Sequence, residues 1–211
     1  MARVRLEEER LDQAMDVFWE RGYYDTSIDQ LIDRTGFHRA EVYGKFGNKQ
    51  GLFEATLRRY RARIIAVFFE PLGRPDAALA DIEQFFRGIY DGAAESERRR
   101  GCLMINTASE VSTRIRPVAR IVSSYLDELG ALLRRASVNA RTRGELRSNV
   151  DVDHIADYLV GSVLGFWVLA RSPAPDTMLR HYVEGVLASL GELGSEARRR
   201  RPRGWANRAH R

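Results

Sequence analysis

The chain of 211 residues is poor in cysteine and in long apolar runs. Its single cysteine, Cys102, cannot form a disulfide within the chain and suits a reducing compartment. The longest apolar run, Tyr158 to Ala170, is shorter than the roughly 18 residues needed to cross a bilayer, so we expect no membrane partner. The first residues turn acidic where a signal peptide would turn apolar, and we therefore expect a cytoplasmic protein.

Motifs that would indicate an enzyme are also lacking. The sequence contains no P-loop, no glycine-rich dinucleotide loop, no paired His-x-x-x-His and no serine or cysteine nucleophile with an obvious base. We expect no catalytic activity, no cofactor and no metal site. An enzyme with an unrecognised site in the C-terminal half, or a helical interaction module, remains as an alternative.

Net charge gives little support for nucleic-acid binding, although the formal value is +5. Residues 195–211 carry seven arginines and one acid, which leaves the remainder of the chain at −1. We expect this basic tail to be disordered, either solvated or weakly attracted to nucleic acid. The placement of single cations is more informative, because the two lysines of the chain, Lys45 and Lys49, lie in one short segment.

Apolar residues recur with the period of an α-helix along the whole chain, and no stretch alternates as a strand would. The spacing predicts helices over about 6–22, 28–35, 38–46, 49–70, 102–113, 117–142, 151–171 and 175–192, with one more following Asp76. We therefore predict an all-α fold of about nine helices.

Residues 26–46 have the pattern of a helix, a glycine turn and a second short helix. Ser27 and Gln30 have the spacing of a capping box, and Gly36 lies in the turn. This arrangement would lay one helix across a DNA backbone and place the next in the major groove, although any short helix pair with a glycine turn has the same pattern. There Arg39 would reach guanine O6 and N7, while Tyr43 and Lys49 would contact phosphates.

A set of residues at fixed offsets runs through the same segment: Phe18, Gly22, Tyr23, Thr26, Ser27, Ile28, Leu31, Ile32, Gly36, Phe37, Val42, Tyr43, Phe46, Lys49 and Leu52. This pattern closely resembles the N-terminal domain of the TetR family of repressors over roughly residues 8–57. A second run, Gly101-Cys102-Leu103-Met104-x-Asn106 followed by Glu110, resembles a segment found in one branch of that family.

The resemblance implies a helix-turn-helix DNA-binding domain at 1–48 and a ligand-binding and dimerisation domain at 49–194, with a long fourth helix connecting the two. The expected function is a dimeric repressor that binds a palindromic operator and is released by a small apolar or aromatic effector; activation is the alternative. The implied DNA-binding residues are Ser27, Ile28, His38, Arg39, Ala40, Glu41, Tyr43, Gly44, Lys45 and Lys49.

Two residues depart from the usual family pattern. His38 stands where a serine or threonine cap is common, and Glu41 where a small or hydroxylated residue is common. Glu41 would either accept a hydrogen bond from a cytosine N4 amino group or close the helix start as half of a capping box. We favour capping.

The C-terminal half holds the candidate effector and dimer residues. The candidate ligand-binding residues are Tyr60, Phe68, Phe86, Tyr90, Met104, Asn106, Tyr125 and Trp167, although each alone is more typical of packed core. The candidate dimer residues, Tyr158, Leu164, Tyr182 and Val186, lie on the last two long helices, which the resemblance implies pair across a two-fold axis.

Two further features have a structural and a functional interpretation. Cys102 is either a redox sensor or a packed thiol, and packing is the more common state. His154 with Asp151 and Asp153 would hold a metal or cap a helix start, and we favour the cap.

Overall fold

The computed structural model describes residues 2–94, 100–111 and 113–195. Within these ranges the regular elements are ten α-helices, and Leu146 and Gly194 form an isolated antiparallel bridge. The helices are α1 (Ala2–Arg21), α2 (Ile28–Thr35), α3 (Arg39–Phe46), α4 (Lys49–Phe68), α5 (Glu70–Gly73), α6 (Leu79–Ala94), α7 (Leu103–Glu110), α8 (Arg116–Thr142), α9 (Val152–Arg171) and α10 (Asp176–Glu192). The all-α prediction is confirmed.

The helix count differs from the predicted nine because of α5. Pro71 indicated the end of the long helix, but it lies in the first turn of a new one, where its missing N–H has no partner to lose. At the N-terminus, α1 begins at Ala2, earlier than the apolar spacing indicated. The predicted disordered tail lies, from residue 196 onward, outside the described residues.

Local side-chain caps define the starts of the short N-terminal helices. Ser27 Oγ accepts a hydrogen bond from the Gln30 N–H at 3.2 Å, and Gln30 Oε1 accepts one from the Ser27 N–H at 2.9 Å. The predicted capping box is thus confirmed. Gly36 ends α2 with a φ of +66°, a conformation that glycine adopts without steric cost.

Helices α1 to α3 and the first half of α4, up to Leu57, form an N-terminal domain that we call the head. Its core side chains are at most 1% exposed: Phe18, Leu31, Phe37, Val42 and Phe53. Burial of such large apolar side chains supplies most of the free energy that holds short helices together. The head therefore presents α2 and α3 in one fixed relation.

The remaining helices, from the second half of α4 to α10, form a larger domain that we call the body. Helix α8 packs against α4, α6, α7 and α9, and α10 packs against α6 and α9. Leu129 and Leu133 of α8 and Phe86 of α6 are fully buried at its centre. Because α4 belongs to both domains, it connects them directly.

Helix α9 is long and apolar enough to cross a membrane by length and composition alone. One of its faces, however, lies in the protein core, where Leu159, Val163 and Phe166 are at most 1% exposed. The other face bears the exposed side chains Tyr158 and Val168. A packed core helix with one apolar outer face accounts for its composition.

The head and the body meet again where α7 begins and ends. At its start, Trp19 Nε1 donates to the carbonyl oxygens of Arg100 at 3.1 Å and Gly101 at 3.2 Å. The Arg100 guanidinium lies over the Trp19 ring at 4.3 Å from its centroid. At its end, a carboxylate oxygen of Glu110 accepts from the Tyr24 N–H at 3.0 Å. The segment just before α7 thus contacts α1, and the end of α7 contacts the α1–α2 connection.

The Glu110 carboxylate packs closely against Gly22, and this gives a stability prediction. Gly22 has a φ of +84°, and a Cβ placed there would lie 2.8 Å from Glu110 Oε2. Gly36 also has a positive φ, but a Cβ there would meet nothing within 4 Å. We expect Gly36→Ala to lower the free energy of unfolding in urea by about 1–2 kcal/mol, the cost of left-handed backbone, and Gly22→Ala to lower it further.

The control is a Glu110→Ala background. There the cost of Gly22→Ala should fall to that of Gly36→Ala, because the obstructing carboxylate is gone. Equal losses for the two glycine variants in the wild-type background would contradict a close fit of Glu110 against the α1–α2 connection.

Candidate nucleic-acid interface

The outward face of α3 is set by the residues that α3 buries. Val42 is fully buried, and Phe46 packs on Phe37 with ring centroids 5.8 Å apart. Helical geometry then turns the residues on the opposite side to solvent. The exposed residues of α3 are Arg39, Ala40, Tyr43, Gly44 and Lys45. These are residues that the sequence predicted for DNA contact, and the structure brings them onto one accessible surface.

The predicted contact residues of α2 lie beside this surface. Ser27 is exposed, and because its Oγ accepts the Gln30 N–H, its hydroxyl proton remains available to another acceptor. Ile28 is half-buried at the first turn of α2. The N-terminus of α2 therefore faces outward with free backbone donors, an arrangement that favours anions.

Glu41 caps its own helix. Glu41 Oε2 accepts the His38 N–H at 2.8 Å, and its other oxygen lies 3.5 Å from Arg10 Nη1. The hydrogen bond from His38, aided by the charge of Arg10, lowers the pKa of the Glu41 carboxyl below its ordinary value. The capping interpretation is confirmed, and His38 is left exposed as the N-cap residue of α3.

Lys49 is directed toward the protein rather than toward solvent. Its Nζ donates to the carbonyl oxygens of Tyr23 and Thr26, both at 2.9 Å, and lies 4.4 Å from the centroid of the Tyr23 ring. Burial lowers the pKa of the Lys49 ammonium, with Glu110 and Asp25 acting in the opposite direction. The Lys49 ammonium thus donates two hydrogen bonds to the backbone of the α1–α2 connection. This role was not predicted from the sequence.

The predicted ligand-binding residues divide into buried and half-buried sets. Phe86 and Met104 are fully buried, and Tyr60 and Tyr125 are almost so. Phe68, Tyr90, Asn106 and Trp167 are half-buried. Asn106 already donates its Nδ2 to the Arg100 carbonyl at 2.7 Å. The structure therefore buries four of these eight side chains in the body and leaves the other four partly accessible.

Cys102 lies in this packed region. Its Sγ is 4.0 Å from the Tyr125 hydroxyl, and burial raises the pKa of the thiol. Burial likewise raises the pKa of Tyr60 and Tyr125 well above the ordinary tyrosine value. A buried, protonated thiol fits the packing interpretation, because oxidation of cysteine proceeds through the thiolate.

An open groove of about 430 Å³ lies at the C-terminal end of α4, between α4, α5 and α8. It is lined by Ile65, Ala66, Phe69, Glu70, Gly73, Arg74, Glu128 and Leu132. None of these was predicted as a ligand contact. Sequence spacing identifies apolar helix faces but not the places where neighbouring faces leave space, so no sequence signal marked the groove.

The predicted dimer residues differ in accessibility. Tyr158 is 47% exposed, Leu164 and Tyr182 are half-buried, and Val186 is only 4% exposed within the single chain. Val186 therefore contributes to the core of the body. Two further apolar side chains, Val168 and Met178, are exposed on α9 and α10 at 59% and 47%.

The Asp151 cluster is a helix cap. Asp151 Oδ1 accepts from the N–H groups of Asp153 at 2.9 Å and His154 at 3.2 Å, at the start of α9. The favoured capping interpretation of these residues is confirmed.

Comparison with known proteins agrees with this geometry. The family model "Bacterial regulatory proteins, tetR family" matches residues 11–56, and "Tetracyclin repressor-like, C-terminal domain" matches residues 78–186. The HTH-type transcriptional repressor ComR of Escherichia coli is 32% identical over 169 residues, which cover 78% of this chain and 79% of ComR. The HTH-type regulator YezE of Bacillus subtilis is 28% identical, over 85% of this chain and 93% of YezE.

Solved structures show the same architecture. A TetR-family regulator from Chloroflexus aurantiacus superposes with a TM-score of 0.82, at 24% identity, over 92% of this chain and 98% of that one. The regulator CifR, in a complex with 26-base-pair operator DNA, superposes with a TM-score of 0.76, at 27% identity, over 85% of this chain and 94% of CifR. With its outward-facing α3, its two matching family models and these relatives, this chain belongs to the TetR family as a ligand-responsive DNA-binding transcriptional regulator, not an enzyme.

Proposed function

We propose that this regulator is a cytoplasmic repressor that binds a palindromic operator as a homodimer and releases it when a small apolar effector binds the body. The observation that carries the proposal is the accessible surface of α3, on which Arg39 and Tyr43 are exposed while Val42 is buried. Relatives that are named as repressors, among them ComR, support repression over activation.

Within this proposal α3 is the recognition helix. Arg39, in its first turn, reads a guanine edge, since a guanidinium matches O6 and N7 together. Tyr43, one turn later, and Lys45 contact phosphates, as does the Ser27 hydroxyl at the start of α2. Lys49 acts indirectly, because its ammonium holds the α1–α2 connection that positions α2.

Arg39 and Lys45 should therefore respond differently to replacement. We expect Arg39→Ala to lower the ratio of operator affinity to random-DNA affinity by about tenfold or more, because a base contact is lost. Lys45→Ala should weaken both affinities alike and reduce the dependence of log affinity on log salt by about one unit. Fluorescence anisotropy on both duplexes at several salt concentrations measures these effects.

Arg120→Ala, an exposed arginine of α8 in the body, is the matched control and should change neither quantity. An equal loss on operator and random DNA from Arg39→Ala would contradict a base-reading role.

Dimerisation is proposed to use the outer face of α9. Tyr158, Gly161 and Val168 recur at helical spacing on this face, and Gly161, where a Cβ would meet nothing within 4 Å, permits a close approach of another helix. A two-fold pair is required because two recognition helices must enter major grooves about 34–36 Å apart, or a multiple of that distance.

The chain offers a matched pair of exposed valines to test the dimer. Val168 lies on the proposed interface and is 59% exposed, while Val67 on α4 is 67% exposed. We expect Val168→Arg to convert the dimer to monomer in analytical ultracentrifugation and to abolish operator binding, because a buried unpaired charge is costly at an interface. Val67→Arg should remain dimeric, and a dimeric Val168→Arg would contradict this interface.

The groove at the end of α4 is the proposed effector site. Its volume suits a small molecule, its floor of Ile65, Phe69 and Leu132 is apolar, and it adjoins α4, which continues into the head. An occupant that displaces α4 would move α3 with the head.

A thermal-shift screen of small aromatic and aliphatic compounds, followed by release of bound operator, identifies a test compound. We expect Ala66→Trp, which fills the groove, to retain operator binding but to raise the compound concentration needed for release by about tenfold or more. Tyr125→Phe, which removes only a buried hydroxyl, should leave release unchanged. The opposite result would place the effector among the interior aromatic residues.

A further inference from the structure

The charged side chains of the proposed recognition helix, α3, are all paired within the head. Helix α3 has three charged side chains, and each pairs with a residue of another head helix: Arg39 with Asp29 of α2, Lys45 with Glu7 of α1 at 2.7 Å, and Glu41 with Arg10 of α1 at 3.5 Å. The two cations proposed to contact DNA, Arg39 and Lys45, are therefore each paired with a carboxylate in the absence of DNA.

The Arg39–Asp29 pair is too exposed to have stability as its main effect. The two side chains are 55% and 74% exposed, and ion pairs this open to water contribute little to folding. The contact is nevertheless directional, because an oxygen of Asp29 engages Nη2 of Arg39. A guanidinium has five donors, so its other N–H groups remain available while Nη2 is held.

We propose that Asp29 is a positioning residue that determines DNA-sequence specificity by orienting Arg39, a role that rests on the base-reading function proposed for Arg39. A free arginine side chain samples many rotamers and finds phosphates as readily as bases. The Asp29 carboxylate restricts that sampling and reduces the ordering cost of a guanine contact. It also repels the phosphate backbone, which lowers affinity for DNA of every sequence.

The Lys45–Glu7 pair is the internal comparison. An ammonium is a point charge without the planar fork of a guanidinium, and Lys45 is assigned a phosphate contact. Glu7 therefore limits general affinity only. Removing the two carboxylates should therefore have different effects. Replacement of Asp29 should reduce the preference for operator over other DNA, whereas replacement of Glu7 should raise the affinity for all DNA by the same factor.

The experiment measures affinities for two duplexes of equal length, one selected from a random pool by the wild-type dimer and one of scrambled sequence. We expect Asp29→Asn to raise affinity for the scrambled duplex about two- to fivefold and to lower the selected-to-scrambled ratio about three- to tenfold. Glu7→Gln should raise both affinities by similar factors. Asp33→Asn, one turn later on α2, is the control for net charge and should leave the ratio unchanged.

A double variant separates positioning from other effects. If Asp29 acts through Arg39, the double variant Asp29→Asn/Arg39→Ala should have the same selected-to-scrambled affinity ratio as the single variant Arg39→Ala. Circular dichroism confirms folding at the assay temperature, since Asp29 also lies in the first turn of α2, where an acid stabilises the helix end.

The outcomes separate this inference from the function on which it rests. An unchanged ratio in Asp29→Asn, with a lowered ratio in Arg39→Ala, overturns the positioning role and leaves Arg39 as a base reader. A double variant that discriminates less well than Arg39→Ala also overturns it. An unchanged ratio in Arg39→Ala overturns the base-reading role itself.

Discussion

Burial of Val42 and Phe37 in the core of the head is the constraint on which the DNA-binding surface depends. An eight-residue helix such as α3 is too short to be stable alone, so its orientation comes from the side chains that it buries. Once Val42 points inward, Ala40 and Gly44 must face away from the core, while Tyr43 lies beside this outward face and Arg39 is exposed in the first turn of the helix. The direction of the recognition helix is thus a consequence of packing and not of its polar residues.

Charge acts locally in this molecule. The net charge of the first 50 residues is slightly acidic, and the cations of α3 are paired with carboxylates from α1 and α2. With the proposed contacts, DNA binding would exchange Glu7 for a phosphate at Lys45, while Asp29 keeps its contact with Arg39. Such an exchange makes general attraction weak and makes the geometry of individual contacts decisive for specificity.

Contacts between the head and the body lie at two places, along α4 and at the ends of α7. Helix α4 runs from Lys49, which contacts the α1–α2 connection, to the edge of the groove, so a single helix joins the groove to the head. Arg100 and Gly101, just before α7, contact Trp19, and α7 ends at Glu110 beside Gly22 and Tyr24. A change in the body therefore has two physical routes to the α1–α2 connection.

The sequence predicted the local features well. Capping of α2 by Ser27 and Gln30, of α3 by Glu41 and of α9 by Asp151 depends on residues within one turn, and all three were confirmed. The inward direction of Lys49, the pairing of Arg39 with Asp29 and the burial of Val186 depend on how separate helices pack. These contacts join residues of separate elements of the chain, and a single sequence does not show which distant helices pack together.

The central claim is that two copies of α3 enter successive major grooves on one face of the same duplex. Hydroxyl-radical footprinting of the dimer on its selected operator tests this claim most directly. We expect two protected patches whose centres lie about 10–10.5 base pairs apart, or a whole multiple of that spacing. A single protected patch, or centres separated by a half-integral number of turns, would contradict it.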